Sequence, residues 1–301
     1  MSTQVILQTE VTPITASVRL SDYVQLTRPK IAVMVLVTAW LGMLGTGDAL
    51  NAWTAALMLL GTAFVTASAS ALNQVFERSS DALMPRTENR PLPSGRMRPV
   101  EALLAAGGFG FLGMLILLGL PSGPLSAGIA ALSLVLYVLA YTPAKRWTVW
   151  NTLIGAVPGA LPPLIGWSAA RGSLTWEAMP LFAILFWWQV PHFLAIAWIY
   201  REQYSRAGLR MLPNLDSTGR KTALAMVGSM LALASASFWP LAWQAGWVYG
   251  LGVLLANATF LWRIVDFGRS RSRESARVVL RASLLYLPSV LALLVLDRYV
   301  S

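Results

Sequence analysis

Long apolar runs that carry almost no charge dominate this chain, and they limit the folds open to it. Nine such runs lie at about 30–47, 52–76, 100–120, 125–142, 149–168, 176–199, 222–241, 246–264 and 277–296. A helix of about 20 such residues crosses the hydrocarbon of a bilayer and pairs its own backbone groups there. Only 12% of the 301 residues are charged, whereas soluble domains carry about 25%. The sequence therefore predicts an all-α, polytopic membrane protein with nine transmembrane helices around a central cavity.

The charges between the runs predict its orientation. Odd-numbered connections are short and nearly uncharged, whereas the even-numbered ones, at 78–98, 145–146, 201–221 and 263–273, are basic. Because Lys and Arg stay on the cytoplasmic side, we expect the N-terminus inside and the C-terminus outside, with the cavity open to the cytoplasm. This divides the chain into a cytoplasmic segment, 1–29, and one membrane domain, 30–301. Topology also accounts for the net charge of +10, so we expect no nucleic-acid partner.

Prolines interrupt the fifth run. Pro158, Pro162 and Pro163 all lie within 149–168. Since proline removes a backbone donor and clashes with the preceding turn, the pattern predicts a bent or broken span.

Three oxygen-bearing side chains follow one another at helical spacing near the inner end of the second run. Asn73, Glu77 and Asp81 are four residues apart and therefore share one helix face. Such a stripe can hold a hard divalent cation such as Mg²⁺, while the absence of cysteine excludes thiolate sites. A solvated helix end is the alternative, but Asn73 lies inside the apolar run, where an unpaired polar group is costly.

The segment after the stripe is rich in cations and helix breakers. Arg86, Arg90, Arg96 and Arg98 crowd it, together with three prolines and a glycine, and Arg78 lies just before it. We expect a structured loop that caps the cavity, because prolines and glycine interrupt helices. Oxygen ligands beside arginines at a membrane surface predict a magnesium-bridged diphosphate.

Residues 73–95 fit the pattern Asn-x3-Glu-x3-Asp followed by Met-x-Arg-Thr-x2-Arg-Pro-Leu-x2-Gly. In this the chain resembles the intramembrane prenyltransferases of the UbiA superfamily. Further matching stretches are Leu26-Thr27-Arg28-Pro29-Lys30, Tyr141-Thr142-Pro143, Lys145-Arg146, Trp188-Gln189-x-Pro191-His192-Phe193 and Met211-Leu212-Pro213. The similarity is dense over roughly 20–215, while the last three runs match in hydropathy only. The stretch 188–193 is similar to the members that act on haem.

The resemblance implies farnesyl transfer from farnesyl diphosphate to the 2-vinyl group of haem b, with diphosphate released, in a bacterial inner membrane. Haem b is then a substrate and Mg²⁺ the cofactor. Implied metal ligands are Asn73, Glu77, Asp81 and Glu202. The implied catalytic set joins the first three of these to Arg86, Arg90, Lys145 and Arg146. These four cations, with Gln189, His192, Arg201 and Tyr204, are the implied substrate-binding residues. Candidate partners, besides the lipid bilayer, are haem A synthase and cytochrome oxidase assembly proteins.

Several alternatives remain open at this point. Gln203 stands where the family usually carries an aspartate, and a neutral amide weakens the case for a second Mg²⁺. His192, the single histidine, is either a haem contact or a packed core residue. A quinone precursor could replace haem as the acceptor. A transporter for a polyprenyl or porphyrin lipid is a rival of another class, since polar residues beside broken helices also occur there.

Overall fold

The structure, a computed structural model, describes residues 19–49, 51–242 and 245–300, with side chains as far as residue 297. Residues 1–18 of the expected N-terminal segment thus lie outside the described residues. The described part is helical and contains no strand, as predicted. Its α-helices are α1 (Leu20–Thr27), α2 (Pro29–Leu44), α3 (Ala52–Asp81), α4 (Pro99–Leu118), α5 (Gly123–Val135), α6 (Thr142–Trp147), α7 (Asn151–Ala160), α8 (Pro162–Arg171), α9 (Met179–Ile199), α10 (Arg201–Arg206), α11 (Leu212–Leu215), α12 (Arg220–Phe238), α13 (Trp247–Ser270) and α14 (Arg273–Val300).

The polytopic membrane class is confirmed by the length and apolarity of these helices. Eight helical segments in the described ranges are long and apolar enough to cross a bilayer. The pair α1 and α2, which is bent by 47°, is a candidate ninth span. The count of nine and the direction in which the chain crosses the membrane stay predictions.

The fifth span is broken, as the prolines predict. Pro158 lies inside α7, and α8 begins at Pro162 directly after the break at Leu161. The second half of this span packs closely on α2. A Cβ at Gly166 would stand 1.8 Å from the carbonyl oxygen of Ala39, so only glycine allows this approach. Small residues let membrane helices approach through their backbones in this way.

The fourth span contains a π-helical stretch, Leu136–Tyr141, between α5 and α6. There the Thr142 hydroxyl donates to the carbonyl oxygen of Tyr137 at 2.9 Å, and the rings of Tyr137 and Tyr141 pack at 5.4 Å. A π-helical turn inserts a residue and rotates whatever follows it. The stretch thereby sets the direction in which α6 presents its side chains.

Three of the predicted basic connections differ from expectation, and the shortest of them, 145–146, lies within α6. The predicted loop at 263–273 is wrong in extent, because α13 continues to Ser270 and α14 begins at Arg273. Arginine is a good helix former and is favourable in a last helical turn, so a basic segment need not be a loop. The connection at 201–221 likewise contains the short helices α10 and α11. The buried apolar core runs through α8, α9 and α12 to α14, with Trp167, Ile184, Met226 and Phe260 fully buried.

Candidate active site

The inner end of α3 brings the three predicted metal ligands onto one buried face. Helix α3 is continuous from Ala52 to Asp81, so the spacing of four residues keeps the side chains aligned. Asn73, Glu77 and Asp81 are exposed by 0%, 9% and 1%. The segment that follows, 82–98, is a series of turns, as predicted. The Thr87 hydroxyl donates to the Asp81 carbonyl oxygen at 2.8 Å and ties this loop to the helix end.

Each carboxylate of the stripe is paired with a cation from another element. Lys145 Nζ of α6 donates to Glu77 Oε1 at 2.6 Å. Arg90 Nη1 of the 82–98 loop donates to Asp81 Oδ2 at 2.7 Å. The Lys145 ammonium also lies 4.3 Å from the centre of the Tyr141 ring. Pairs this well buried hold α3, α6 and the loop in a fixed arrangement, since separating them would leave a charge uncompensated.

Asn73 supplies a buried acceptor that the described residues do not satisfy. Its Nδ2 donates to the Thr142 hydroxyl at 3.0 Å, but its Oδ1 has no hydrogen-bond partner. Leaving such an atom unpaired costs about 1–3 kcal/mol, which a ligand would recover. No cluster of three or more His, Cys, Asp or Glu occurs in the described part of the chain. A metal here would therefore take one amide and two carboxylate oxygens, a set that suits Mg²⁺.

Beside Glu77 and Asp81 lies a small polar cavity of about 90 Å³, here named the vestibule, whereas Asn73 is fully buried behind them and lines neither cavity. The charged and hydroxyl-bearing lining residues of the vestibule are Arg28, Glu77, Asp81, Arg86, Arg90, Tyr141, Lys145 and Tyr204. Arg86 Nη2 donates to the Tyr204 hydroxyl at 3.0 Å, and its guanidinium lies over the Tyr200 ring at 4.9 Å. Burial, and after it the charge of Arg28, lowers the pKa of Arg90. Crowded cations of this kind are suited to a multiply charged anion.

A larger and mainly apolar cavity of about 430 Å³, here named the chamber, adjoins the vestibule. Side chains of α2, α3, α5, α7, α9 and α14 form its walls. The two cavities share Arg28, Tyr141 and Lys145, so they meet at these side chains. A ligand with a charged head and an apolar tail could therefore occupy both at once.

The predicted acceptor contacts Gln189 and His192 line the chamber. His192 Nδ1 lies 2.8 Å from the Ser283 hydroxyl of α14, and its ring stacks on Trp188 at 4.8 Å. Its Nε2 makes no hydrogen bond within the described ranges. Gln189 Nε2 donates to the carbonyl oxygens of Ala156 and Leu185 at 3.2 and 3.1 Å. His192 is thus oriented by one nitrogen, while the other stays available.

Three predicted site residues lie elsewhere. Glu202, Arg201 and Arg146 are exposed and line neither cavity. Arg146 Nη2 donates to the Ser79 hydroxyl at 3.2 Å, and Arg201 lies over the Trp198 ring at 4.7 Å. In α10 it is Tyr204 that faces the vestibule, and a residue two positions away points to the opposite side of a helix. This explains why Glu202 stands apart from the three ligands of α3.

Two residues of the site escaped the sequence reasoning. Arg28 and Tyr141 line both cavities, although neither was a predicted site residue. The sequence offers only a weak signal for them. Both belong to stretches that match the family, but polar residues close to a proline at a helix end are common in any helical protein. What makes them part of the site is the folding of α1, α2 and the π-helical stretch around α3.

These observations define a class of protein: an all-helical membrane protein in which a charged vestibule opens into an apolar chamber. A profile of the UbiA prenyltransferase family matches residues 34–285. A protein named protoheme IX farnesyltransferase from Opitutus terrae is 41% identical over 285 residues, which cover 94% of this chain and 96% of that relative. The chain belongs to the UbiA prenyltransferase family, so the resemblance noted in the sequence is confirmed. It is accordingly an enzyme, a membrane prenyltransferase, which removes the transporter interpretation.

Solved structures share the fold. One named for digeranylgeranylglyceryl phosphate synthase in membranes superposes with a TM-score of 0.78 at 18% identity, covering 92% of this chain and 98% of that one. A UbiA homologue from Archaeoglobus fulgidus bound to GPP and Mg²⁺ gives a TM-score of 0.64 at 16% identity, covering 91% and 99%. At such identities the likeness establishes the helical architecture alone.

Proposed function

We propose that this prenyltransferase transfers a farnesyl group from farnesyl diphosphate to the 2-vinyl group of haem b. The observation that carries the proposal is the meeting of the charged vestibule with the apolar chamber at Arg28, Tyr141 and Lys145. The name of the Opitutus relative supports the choice of both substrates. The vestibule would take the diphosphate, and the chamber would take the farnesyl chain and the porphyrin.

At the donor end, Arg86, Arg90 and Lys145 would bind the phosphate oxygens through charge-assisted hydrogen bonds. The allylic C–O bond breaks with both electrons remaining on the diphosphate, and these fixed cations stabilise that charge. When bound to Asn73, Glu77 and Asp81, Mg²⁺ would add positive charge to the leaving group. The presence of GPP and Mg²⁺ in the Archaeoglobus homologue supports this division of roles.

At the acceptor end, the walls of the chamber would shelter the allylic cation from water until the vinyl group attacks. The vinyl carbons donate an electron pair to the farnesyl cation, and the new cation beside the ring takes a hydroxyl from water, which releases a proton. Ile31, Met34 and Leu284 line the chamber and are also exposed on the bilayer-facing surface, so a lipid-like tail could enter from the side.

His192 is the residue we assign to the porphyrin. Its Nδ1 contacts the Ser283 hydroxyl at 2.8 Å, and this contact would orient Nε2 for the haem iron. Gln189, on the same chamber wall, would contact the edge of the macrocycle. A histidine that served only in packing would not need to line the chamber with an Nε2 that makes no hydrogen bond to the described residues.

A reconstituted assay tests the function. Purified chain in lipid, given Mg²⁺, farnesyl diphosphate and haem b, should yield haem O and diphosphate in equal amounts, as chromatography of the haems and a diphosphate assay would show. The matched control replaces haem b with 4-hydroxybenzoate. Prenylation of that phenol with no consumption of haem b would favour the quinone-precursor alternative.

A further inference from the structure

Arg28 stands in a strained turn at the junction of the two cavities. Its backbone has φ 51° and ψ 64°, the left-handed region that side chains other than glycine rarely adopt. The turn ends α1, begins α2 and accounts for the 47° bend between them. Strain of this kind persists where surrounding contacts impose it, and it concentrates at functional sites.

Contacts from two other elements hold this turn in place. Gln74 of α3, which is fully buried, donates from Nε2 to the Leu26 carbonyl oxygen at 2.7 Å. Arg96 of the 82–98 loop donates from Nε to Asp22 Oδ1 of α1 at 2.9 Å. The turn is therefore fixed both to the helix that carries the metal-ligand stripe and to the loop that covers the vestibule.

The Arg28 side chain lines the junction, near enough to Glu77 and Asp81 to act on their charges, but makes no side-chain hydrogen bond with the described residues. Its Nε and Nη2 are buried and have no hydrogen-bond partner in the described part of the chain. Lys145 also lines both cavities, but it is paired with Glu77 at 2.6 Å. Of the two cations described at the junction, Arg28 is thus the one without a carboxylate hydrogen-bonded to it.

We propose that Arg28 binds the substrate diphosphate where the allylic C–O bond breaks. This deepens the proposed function and rests on it, because it requires a prenyl diphosphate in the vestibule. As that bond breaks, its electron pair passes to the diphosphate, and the planar guanidinium donates to the oxygens on which charge accumulates. The same donors could instead bind a carboxylate of the acceptor, so the experiment must separate the two anions.

The test measures binding of inorganic pyrophosphate with MgCl₂ to the purified full chain by calorimetry. Arg28→Gln removes the charge. Arg28→Gly removes it and also suits the positive φ, so its melting temperature should equal or exceed that of the parent. We expect roughly 10- to 100-fold weaker pyrophosphate binding in both variants. Arg28→Lys should recover part of the loss. The control is Arg78→Gln, which replaces an exposed arginine that lines neither cavity and should not change binding.

A titration of the same variants with haem b, followed by absorbance, completes the test and should show unchanged affinity. Parent-like pyrophosphate binding in Arg28→Gly would overturn the proposal, and a lowered melting temperature would then assign Arg28 a structural role. Weaker haem binding with intact pyrophosphate binding would also overturn it, in favour of an acceptor carboxylate. If the parent chain bound no pyrophosphate, both the proposed function and the role of Arg28 would be refuted. If the parent and the variants bound pyrophosphate equally well, only the role of Arg28 would be refuted.

Discussion

The site-bearing part of the molecule, α1 to α11, and the last three helices, α12 to α14, treat buried polar groups in opposite ways. Buried side-chain atoms without a hydrogen-bond partner include Asn73 Oδ1, Gln74 Oε1 and two nitrogens of Arg28, and all of those found in the described residues precede α12. Among the described residues of that part, three of the five ion pairs also have an acid that is nearly buried. The first part thus contains buried polar atoms that the described residues leave unsatisfied.

In α12 to α14, by contrast, buried polar groups satisfy one another. The Asp297 carboxylate accepts from the backbone N–H groups of Gly246 and Tyr249, and the Tyr249 hydroxyl donates to the Ser237 carbonyl oxygen at 2.8 Å. The Tyr286 hydroxyl donates to Asn257 Oδ1 at 2.8 Å. A network closed in this way stabilises helix packing and offers nothing to a substrate. The comparison teaches that the last three helices close their buried polar groups among themselves, whereas unsatisfied buried atoms of the described residues occur only before α12, and one of their owners, Arg28, lines both cavities.

The largest expected effect is on the stripe of α3. Glu77→Ala and Asp81→Ala should each lower the rate of farnesyl transfer roughly 10²- to 10³-fold, because each removes negative oxygen from the proposed metal site. The measurement is turnover at saturating substrate, with membrane insertion checked by extraction and melting temperature. Glu77→Gln is a matched control for the pairing with Lys145, since it keeps an acceptor near the ammonium. Retained turnover in both alanine variants would remove the metal-site hypothesis.

The second prediction concerns the closed network. Asp297→Ala should lower the free energy of unfolding by roughly 2–3 kcal/mol, because the buried N–H group of Tyr249 and the part-buried N–H group of Gly246 lose a carboxylate acceptor. Turnover per folded molecule and the KM for farnesyl diphosphate should stay at parent values. Tyr286→Phe, which removes a single neutral hydrogen bond, should cost about 1 kcal/mol. If Asp297→Ala lost much of its specific activity while its stability stayed intact, the last three helices would contribute to catalysis and not only to stability.

The third prediction tests one of the contacts that join the two parts, between His192 of α9 and Ser283 of α14. His192→Ala should weaken haem b binding about tenfold, by loss of a ring nitrogen toward the iron. Ser283→Ala should have a smaller effect in the same direction, because the ring is kept but loses its orienting partner. A titration followed by absorbance measures both, and pyrophosphate binding serves as the unaffected control. Unchanged haem affinity in His192→Ala would identify a packed core histidine.

Much of this site was predictable from local spacing. The shared face of Asn73, Glu77 and Asp81 follows from helical periodicity, and the break in the fifth span follows from its prolines. Apolar run lengths likewise predicted the membrane class, because a bilayer imposes one length on every span.

What could not be predicted depends on contacts between distant segments. Lys145 and Glu77 meet across 68 positions, and the pairing depends on how the π-helical stretch rotates α6. Charge alone does not favour Lys145 over the neighbouring Arg146 as the partner of Glu77. In α10, likewise, Glu202 and Tyr204 are both polar and lie two positions apart. Packing decides that Tyr204 is the one that faces the vestibule. Arg28 depends on a left-handed turn that no local pattern demands.

The smallest expected effect lies at the opposite end of α3 from the site. There Arg171 donates from Nε and Nη2 to the two carboxylate oxygens of Asp48, each at 3.0 Å, and both side chains are partly exposed. The hydrogen bond from Arg171 lowers the pKa of Asp48 against the weaker, opposing effect of burial. Because the folded-state pKa is below the unfolded one, the pair stabilises the fold above pH about 4 and loses that contribution as pH falls through the folded-state pKa.

Asp48→Asn should therefore lower the free energy of unfolding by less than about 1 kcal/mol at pH 7, since solvent screens an exposed pair. The difference in melting temperature between the parent and the variant should narrow as the pH is lowered below about 4 and vanish below the folded-state pKa of Asp48. A gap that does not narrow at all as the pH falls would mean that the Asp48 side chain acts through packing and not through charge. If Asp48→Asn lowered the free energy of unfolding as much as Asp297→Ala does, an exposed ion pair would stabilise the fold as much as a buried one. The contrast between the two parts of the molecule would then have to take the exposure of each polar group into account.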